Sequence, residues 1–142
     1  MKKLVIIGKG PAGISAALYA VRGGLDVTIV AKDGGALQKA DKIDNYYGFD
    51  GGISARKLLE DGENQARTLG VQFVTDEVVG VEFAESGFAV KTLSKDLEAN
   101  AVVLACGTSR NVPPIENIEK FEGRGVSYCA ICDGFFFRKK KV

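Results

Sequence analysis

Two stretches of the 142-residue sequence combine residue types and spacings that can do chemistry. Cys129-Ala130-Ile131-Cys132 spaces two thiols so that they can close a disulfide, and in such a pair one thiol's pKa is commonly lowered. Gly8-Lys9-Gly10-Pro11-Ala12-Gly13 satisfies G-x-G-x-x-G, a spacing that serves dinucleotide binding when it lies between a strand and a helix. Gly8 then allows the tight turn, Gly10 lets a pyrophosphate approach the backbone, and Gly13 lets helix and strand pack closely. The plainer alternatives are two free buried cysteines and a glycine turn without a ligand.

Composition narrows the choice. The sequence has no histidine, which removes the commonest general base and the commonest metal ligand together. Proton transfer must use a carboxylate, thiol, lysine or tyrosine. Three cysteines, Cys106, Cys129 and Cys132, are too few for a secreted disulfide framework, and one Cys-x-x-Cys without a second Cys or His pair does not complete a structural zinc site. No metal is expected, and the pair reads as redox chemistry. A net charge of +1 argues against a nucleic-acid partner. The basic run Arg138-Lys139-Lys140-Lys141 is short and reads as solvated. Gly8 breaks the initial apolar run too early for a signal peptide, and no stretch approaches a membrane span, so the expectation is a cytoplasmic protein with no membrane partner.

The elements around these motifs follow from periodicity. Leu4-Val5-Ile6-Ile7 reads as a strand buried on both faces. Pro11 to about Arg22 reads as a helix closed by Gly23-Gly24, with Ile14, Ala17, Leu18 and Val21 on its apolar side. A second strand around Val27–Val30 completes a βαβ unit. Residues 32–52 form a long Gly-, Asp- and Tyr-rich loop of the kind that is functional or disordered. Ser54 caps a helix running to Leu69, with Leu58, Leu59, Ala66 and Leu69 as its buried side and Gly62 inside it at a cost of ~1 kcal/mol relative to alanine. Val71–Val74 is a third parallel strand. Runs at 78–83 and 88–93 and near Leu97 form an antiparallel meander. Ala101–Ala105 is a last apolar strand, ending at Cys106, which reads as a small buried residue. Pro113-Pro114 marks a domain boundary in a turn-rich stretch.

The segment Gly125-Val126-Ser127-Tyr128-Cys129-Ala130-Ile131-Cys132-Asp133-Gly134-Phe135-Phe136 resembles the active-site segment of low-molecular-weight thioredoxin reductases, FAD-dependent pyridine nucleotide-disulfide oxidoreductases. Ile7–Gly13 is similar to that family's FAD turn, Asp44-Asn45-Tyr46-Tyr47-Gly48-Phe49 to its loop near the flavin, and Ala105-Cys106-Gly107-Thr108 to its Ala-Thr-Gly strand end. The resemblance implies an α/β fold: a Rossmann-like FAD-binding domain with a parallel sheet, flanking helices and a small meander, left incomplete at residue 142. It implies an FAD-binding part at 1–115 and, at 116–142, a redox segment opening an NADPH-binding domain. Around FAD it places Gly8, Gly10, Pro11, Ala12, Gly13, Asp33, Gly35, Leu37, Asn45, Val78, Ala105 and Gly107.

By the same resemblance, electrons pass from NADPH through FAD to the Cys129–Cys132 disulfide and on to thioredoxin or a thioredoxin-like protein; a homodimer is compatible with it. Cys132 is the thiol beside the flavin, Cys129 exchanges with the partner, and Asp133 manages the proton. A carboxylate beside the pair suits a segment without histidine. The sequence departs from the pattern at Ala36, where the family has glutamine, at Tyr47 for proline and at Cys106 for threonine. An acid at the end of the second strand would hold the ribose hydroxyls; Ala31 and Lys32 stand there, with Asp33 just beyond, and Lys32 raises the alternative of a 2′-phosphate. With one dinucleotide turn, the chain is expected to be a fragment that does not turn over with NADPH alone. Two other readings stand beside this one: a relative fed by ferredoxin or another donor, and a non-catalytic nucleotide-binding fragment with structural cysteines.

Overall fold

Leu4, Val5 and Ile6 are all buried, as a strand covered on both faces requires. The computed structural model describes residues 1–108, 111–130 and 134–141, and the chain divides into two compact units, Met1–Thr108 and Ser109–Val142.

The first unit runs β1 (Lys3–Ile7), α1 (Pro11–Arg22), β2 (Asp26–Val30), a 3-10 turn (Gly35–Lys39), β3 (Lys42–Ile43), β4 (Ile53–Ser54), α2 (Ala55–Thr68), β5 (Gln72–Val74), β6 (Val78–Ala84), β7 (Gly87–Thr92), β8 (Asp96–Ala99) and β9 (Ala101–Leu104). A four-stranded parallel sheet in the order β5-β2-β1-β9 carries the antiparallel meander β6-β7-β8 on one face. Because side chains alternate along a strand, Leu4 and Ile6 join Ile14, Ala17 and Ala66 of the helices, while Val5 and Val30 meet Val90 and Ala99 of the meander. Both helices therefore cover one face and the meander covers the other. The long loop is not structureless: it holds the 3-10 turn and the β3–β4 pair.

Local signals explain the helix limits. Pro11 occupies the first turn of α1. The Ser54 hydroxyl accepts the Lys57 amide at the start of α2. Gly62 has a packing reason, because a Cβ there would stand 3.3 Å from Ile14 Cγ2 on α1. Two expectations are corrected. Leu69 is 41% exposed, since it follows the last helical residue, Thr68. Cys106 is exposed rather than buried: β9 is an edge strand, and the chain leaves the sheet just after it.

The meander is latched to the β5–β6 connection by Asp76. Its carboxylate accepts the Ser94 hydroxyl, the Thr92 hydroxyl at 2.7 Å and the amides of Ser94 and Glu77. The Ser94 hydroxyl first, then that of Thr92, holds the Asp76 pKa down to about 2 against an ordinary value of 3.8. Depression of a folded-state pKa adds stability above the unfolded value and loses it as pH falls through the folded one. The expected result is a part of the unfolding free energy that is present above pH 3.8 and disappears towards pH 2. Chemical denaturation across that range checks it, and Asp76→Asn should flatten that part of the profile.

The described residues of the second unit are mostly turns and irregular backbone. It contains 3-10 segments at Ile118–Phe121 and Gly134–Phe137, a Glu122–Val126 bridge and a buried Ile118. Pro113 and Pro114 belong to this unit.

Candidate functional site

The carboxyl ends of β1, β2, β5 and β9 lie along one border of the parallel sheet, the border at which α/β folds bind ligands. Gly8 follows β1 there, its amide donating to Val30 O at 2.8 Å. The three glycines of the turn differ in their surroundings. Gly8 has φ +111°, and a Cβ on it would overlap the Ala105 carbonyl. A Cβ on Gly13 would overlap the Gly8 carbonyl oxygen. At Gly10 nothing lies within 4 Å of the position a Cβ would take. Gly8 and Gly13 are thus demanded by packing of the protein on itself, whereas Gly10 borders open space.

That open space meets the start of α1. Gly10 is the N-cap residue, no side chain caps the helix, and no acid stands in its first turn. Uncapped amides and the positive end of the helix dipole make such a terminus suited to an anion. Pro11, Ala12 and Gly13 form this first turn. Ala105 lies beside Gly8, its amide donating to Ile7 O at 2.9 Å. Gly107, two residues on, is exposed with φ +67°.

The loop after β2 forms the next wall. Asp33 Oδ1 accepts the Gly35 amide at 2.8 Å, and Gly35 has φ +67°, which opens the 3-10 turn carrying half-buried Leu37. Gln38 folds back over Gly34, so that a Cβ on Gly34 would collide with its side chain. A cavity of about 320 Å³ lies between Lys9, Gly34, Gln38, Arg56, Leu59 and Glu63. A second, of about 180 Å³, lies between Pro11, Ile14 and Leu18 of α1, Tyr46 and Phe49 of the loop, and Leu58 of α2. Val78 packs against the Val5–Val30 cluster. Asn45 is exposed, and among the described residues no hydrogen bond ties it to the glycine turn.

Lys32 is engaged by Glu77, Nζ to Oε1 at 2.9 Å, a pairing that raises the lysine pKa through its hydrogen bond and charge. Lys9, Gln38 and Glu63 were not singled out by the sequence reading. The only local signal was the four-residue spacing of Glu63 and Arg67 along α2.

In the second unit Cys129 is half-buried and disulfide-bonded, and its amide donates to Ser127 Oγ at 3.1 Å. Cys132 and Asp133 lie outside the described residues. Burial first, then the Glu122 carboxylate, pushes the Tyr128 phenol up. Cys106 is a free thiol. Among the described residues no cluster of His, Cys, Asp and Glu could hold a metal ion, and no helix is long and apolar enough to cross a membrane.

Comparison with known proteins decides the family. Residues 2–142 match the family described as pyridine nucleotide-disulphide oxidoreductase. The chain belongs to that family. It is 38% identical to a thioredoxin reductase of Rickettsia bellii over 99% of this chain and 46% of the relative. The thioredoxin reductase structure from Streptococcus pyogenes superposes with a TM-score of 0.84 at 37% identity, over 95% of this chain and 44% of that one. A ferredoxin-flavin thioredoxin reductase from Clostridium acetobutylicum superposes with a TM-score of 0.70 at 31% identity, over 96% and 47%. The chain thus spans a little under half the length of the relatives it matches. Thioredoxin reductases in this oxidoreductase family bind FAD and use NADPH. The open space at Gly10, bounded by an uncapped helix start, fits the pyrophosphate of such a dinucleotide.

Proposed function

We propose that this chain is the FAD-binding and disulfide-bearing portion of a thioredoxin reductase-like enzyme that carries electrons from NADPH to a thioredoxin-like protein. The contrast among the three glycines carries the reading. A turn that served packing alone would have no need of a glycine at position 10, where a side chain would meet no protein atom. The amides following Gly10 would hold the pyrophosphate. Gly35, Leu37, Asn45, Val78, Ala105 and Gly107 would border the rest of the group, with Asp33 shaping the loop through its bond to the Gly35 amide. When bound, FAD supplies the electron pair that opens the disulfide.

The remaining chemistry belongs to the thiols. Once Cys129 and Cys132 are reduced, the Cys129 thiolate attacks the partner's disulfide, forms a mixed disulfide and expels one partner thiolate, to which Asp133 gives a proton. Asp133 next takes the proton of the Cys132 thiol, whose thiolate attacks the Cys129 sulfur, restoring the pair's disulfide and expelling the second partner thiolate, to which Asp133 returns that proton. Two electrons and two protons pass to the partner, as thiol–disulfide exchange requires. A second reading keeps this exchange and replaces NADPH with ferredoxin as donor; the likeness to the Clostridium acetobutylicum structure favours it.

Titration of FAD into the purified chain, followed by the quenching of flavin fluorescence and by absorption after desalting, tests the reading. The expected result is saturable binding with retained flavin absorbance. A chain that stays colourless and leaves the fluorescence unquenched would sink it.

A further inference from the structure

The glycine turn carries a cation that is already engaged by the protein. Lys9 sits between Gly8 and Gly10, and its Nζ donates to Glu63 Oε2 at 3.0 Å across 54 residues of sequence. Both side chains are largely withdrawn from solvent, at 28% and 27% exposure. Glu63 is held from its other oxygen as well, because Arg67 Nη2 donates to Oε1 at 2.8 Å. The Arg67 guanidinium in turn lies 4.3 Å from the ring centre of Phe73 on β5. Arg67 first, then Lys9, holds the Glu63 carboxyl below its usual range. Beside Glu63, Gly62 lets α2 approach Ile14 of α1.

An exposed ion pair adds little, since two long side chains must be immobilised in high dielectric. Here the carboxylate is fixed beforehand by Arg67, so mainly Lys9 loses freedom, and partial burial reduces screening by salt. We propose that Lys9 is a positioning residue: its bond to Glu63 ties the Gly8–Gly10 turn to α2 and holds the following amides where a pyrophosphate can meet them. The ligand part of this inference rests on the dinucleotide reading above.

Lys9→Met, Glu63→Gln, the double variant and Lys9→Arg, all in the full chain, test it with two measurements. The first is affinity for FAD and for ADP, which carries the pyrophosphate without the flavin. The second is amide hydrogen exchange of Gly10, Ala12 and Gly13 in the ligand-free chain. Each charge-removing single variant is expected to weaken both ligands about fivefold and to speed exchange in the turn. The double variant should be no worse than the weaker single, and Lys9→Arg should recover most of the loss. Tighter binding in Glu63→Gln would overturn the proposal, since Lys9 would then be a phosphate ligand that Glu63 restrains. Additive losses in the double variant, or unchanged exchange and affinity, would overturn it too. If the unmodified chain binds neither FAD nor ADP, the dinucleotide reading fails, while the exchange rates still decide whether the pair holds the turn.

Discussion

Gly10→Ala is expected to fold as well as the unmodified chain and to lose FAD, whereas Gly13→Ala is expected not to reach a stable fold. The two substitutions add the same methyl group, so the difference lies wholly in what it meets. At Gly10 the backbone is at φ −70° and ψ 178°, which alanine adopts freely, and no atom lies within 4 Å. Unfolding stability should therefore change by less than about 0.5 kcal/mol. The new Cβ would stand where phosphate oxygens approach the helix start, and FAD affinity should fall by about a hundredfold or more, from excluded volume and lost amide contacts. At Gly13 the methyl would overlap the Gly8 carbonyl, a backbone group that cannot swing aside, with Gly8 itself against Ala105. Relief requires α1 to move off β1, at a cost of roughly 3 kcal/mol or more. Thermal unfolding and FAD titration on both variants check the pair. Loss of folding in Gly10→Ala, or full FAD affinity in it, would remove the pyrophosphate from the turn.

Substitution of Cys132 by serine is expected to trap a thioredoxin-like protein on Cys129 as a stable mixed disulfide, because the thiol that would resolve it is gone. Release then depends on external thiol in place of an intramolecular attack, and should slow by about a thousandfold or more. Cys129→Ser should give no such adduct at the partner-facing position. Thiol counts supply the companion measurement. Among the described residues Cys106 is a free thiol and Cys129 is disulfide-bonded; with Cys132 as the proposed partner of Cys129, the unmodified chain is expected to show one reactive thiol before mild reduction and three after it. Mass spectrometry of the quenched mixture reads both. Cysteines that stay inert after reduction, with no adduct in Cys132→Ser, would favour a structural role for the pair.

Much of the fold was legible because its signals are local. Pro11 and Gly23-Gly24 bracket α1, which runs Pro11–Arg22, and Ser54 starts α2. Uninterrupted apolar runs mark the parallel strands, while turn residues such as Glu85-Ser86-Gly87 separate the meander strands. What failed depended on neighbours distant in sequence. Cys106 looked buried because the run before it is apolar, yet β9 pairs with β1 on one side only. Leu69 matched the apolar spacing of α2 but falls past its last turn. The site divides the same way: the glycine turn was visible as a pattern, and the different duties of its glycines were not. The Lys9–Glu63 bond joins residues with no shared periodicity, and no composition signal announces it.

The position of β1 between β2 and β9 sets an order of events during synthesis. Residues 3–30 can pair as soon as they emerge, and the meander closes through short hairpins, both being contacts of low sequence separation that form early. β1 meets its other neighbour only when residues 101–104 arrive, through the Leu4–Ala101 to Ile7–Leu104 register, and that closure carries the entropy of a long loop. The Ala105 carbonyl that packs under Gly8 comes with it. In a chain that folds as it is made, the Gly8 turn is therefore expected to set only after β9 has docked, later than the β1–β2 pair and the meander hairpins.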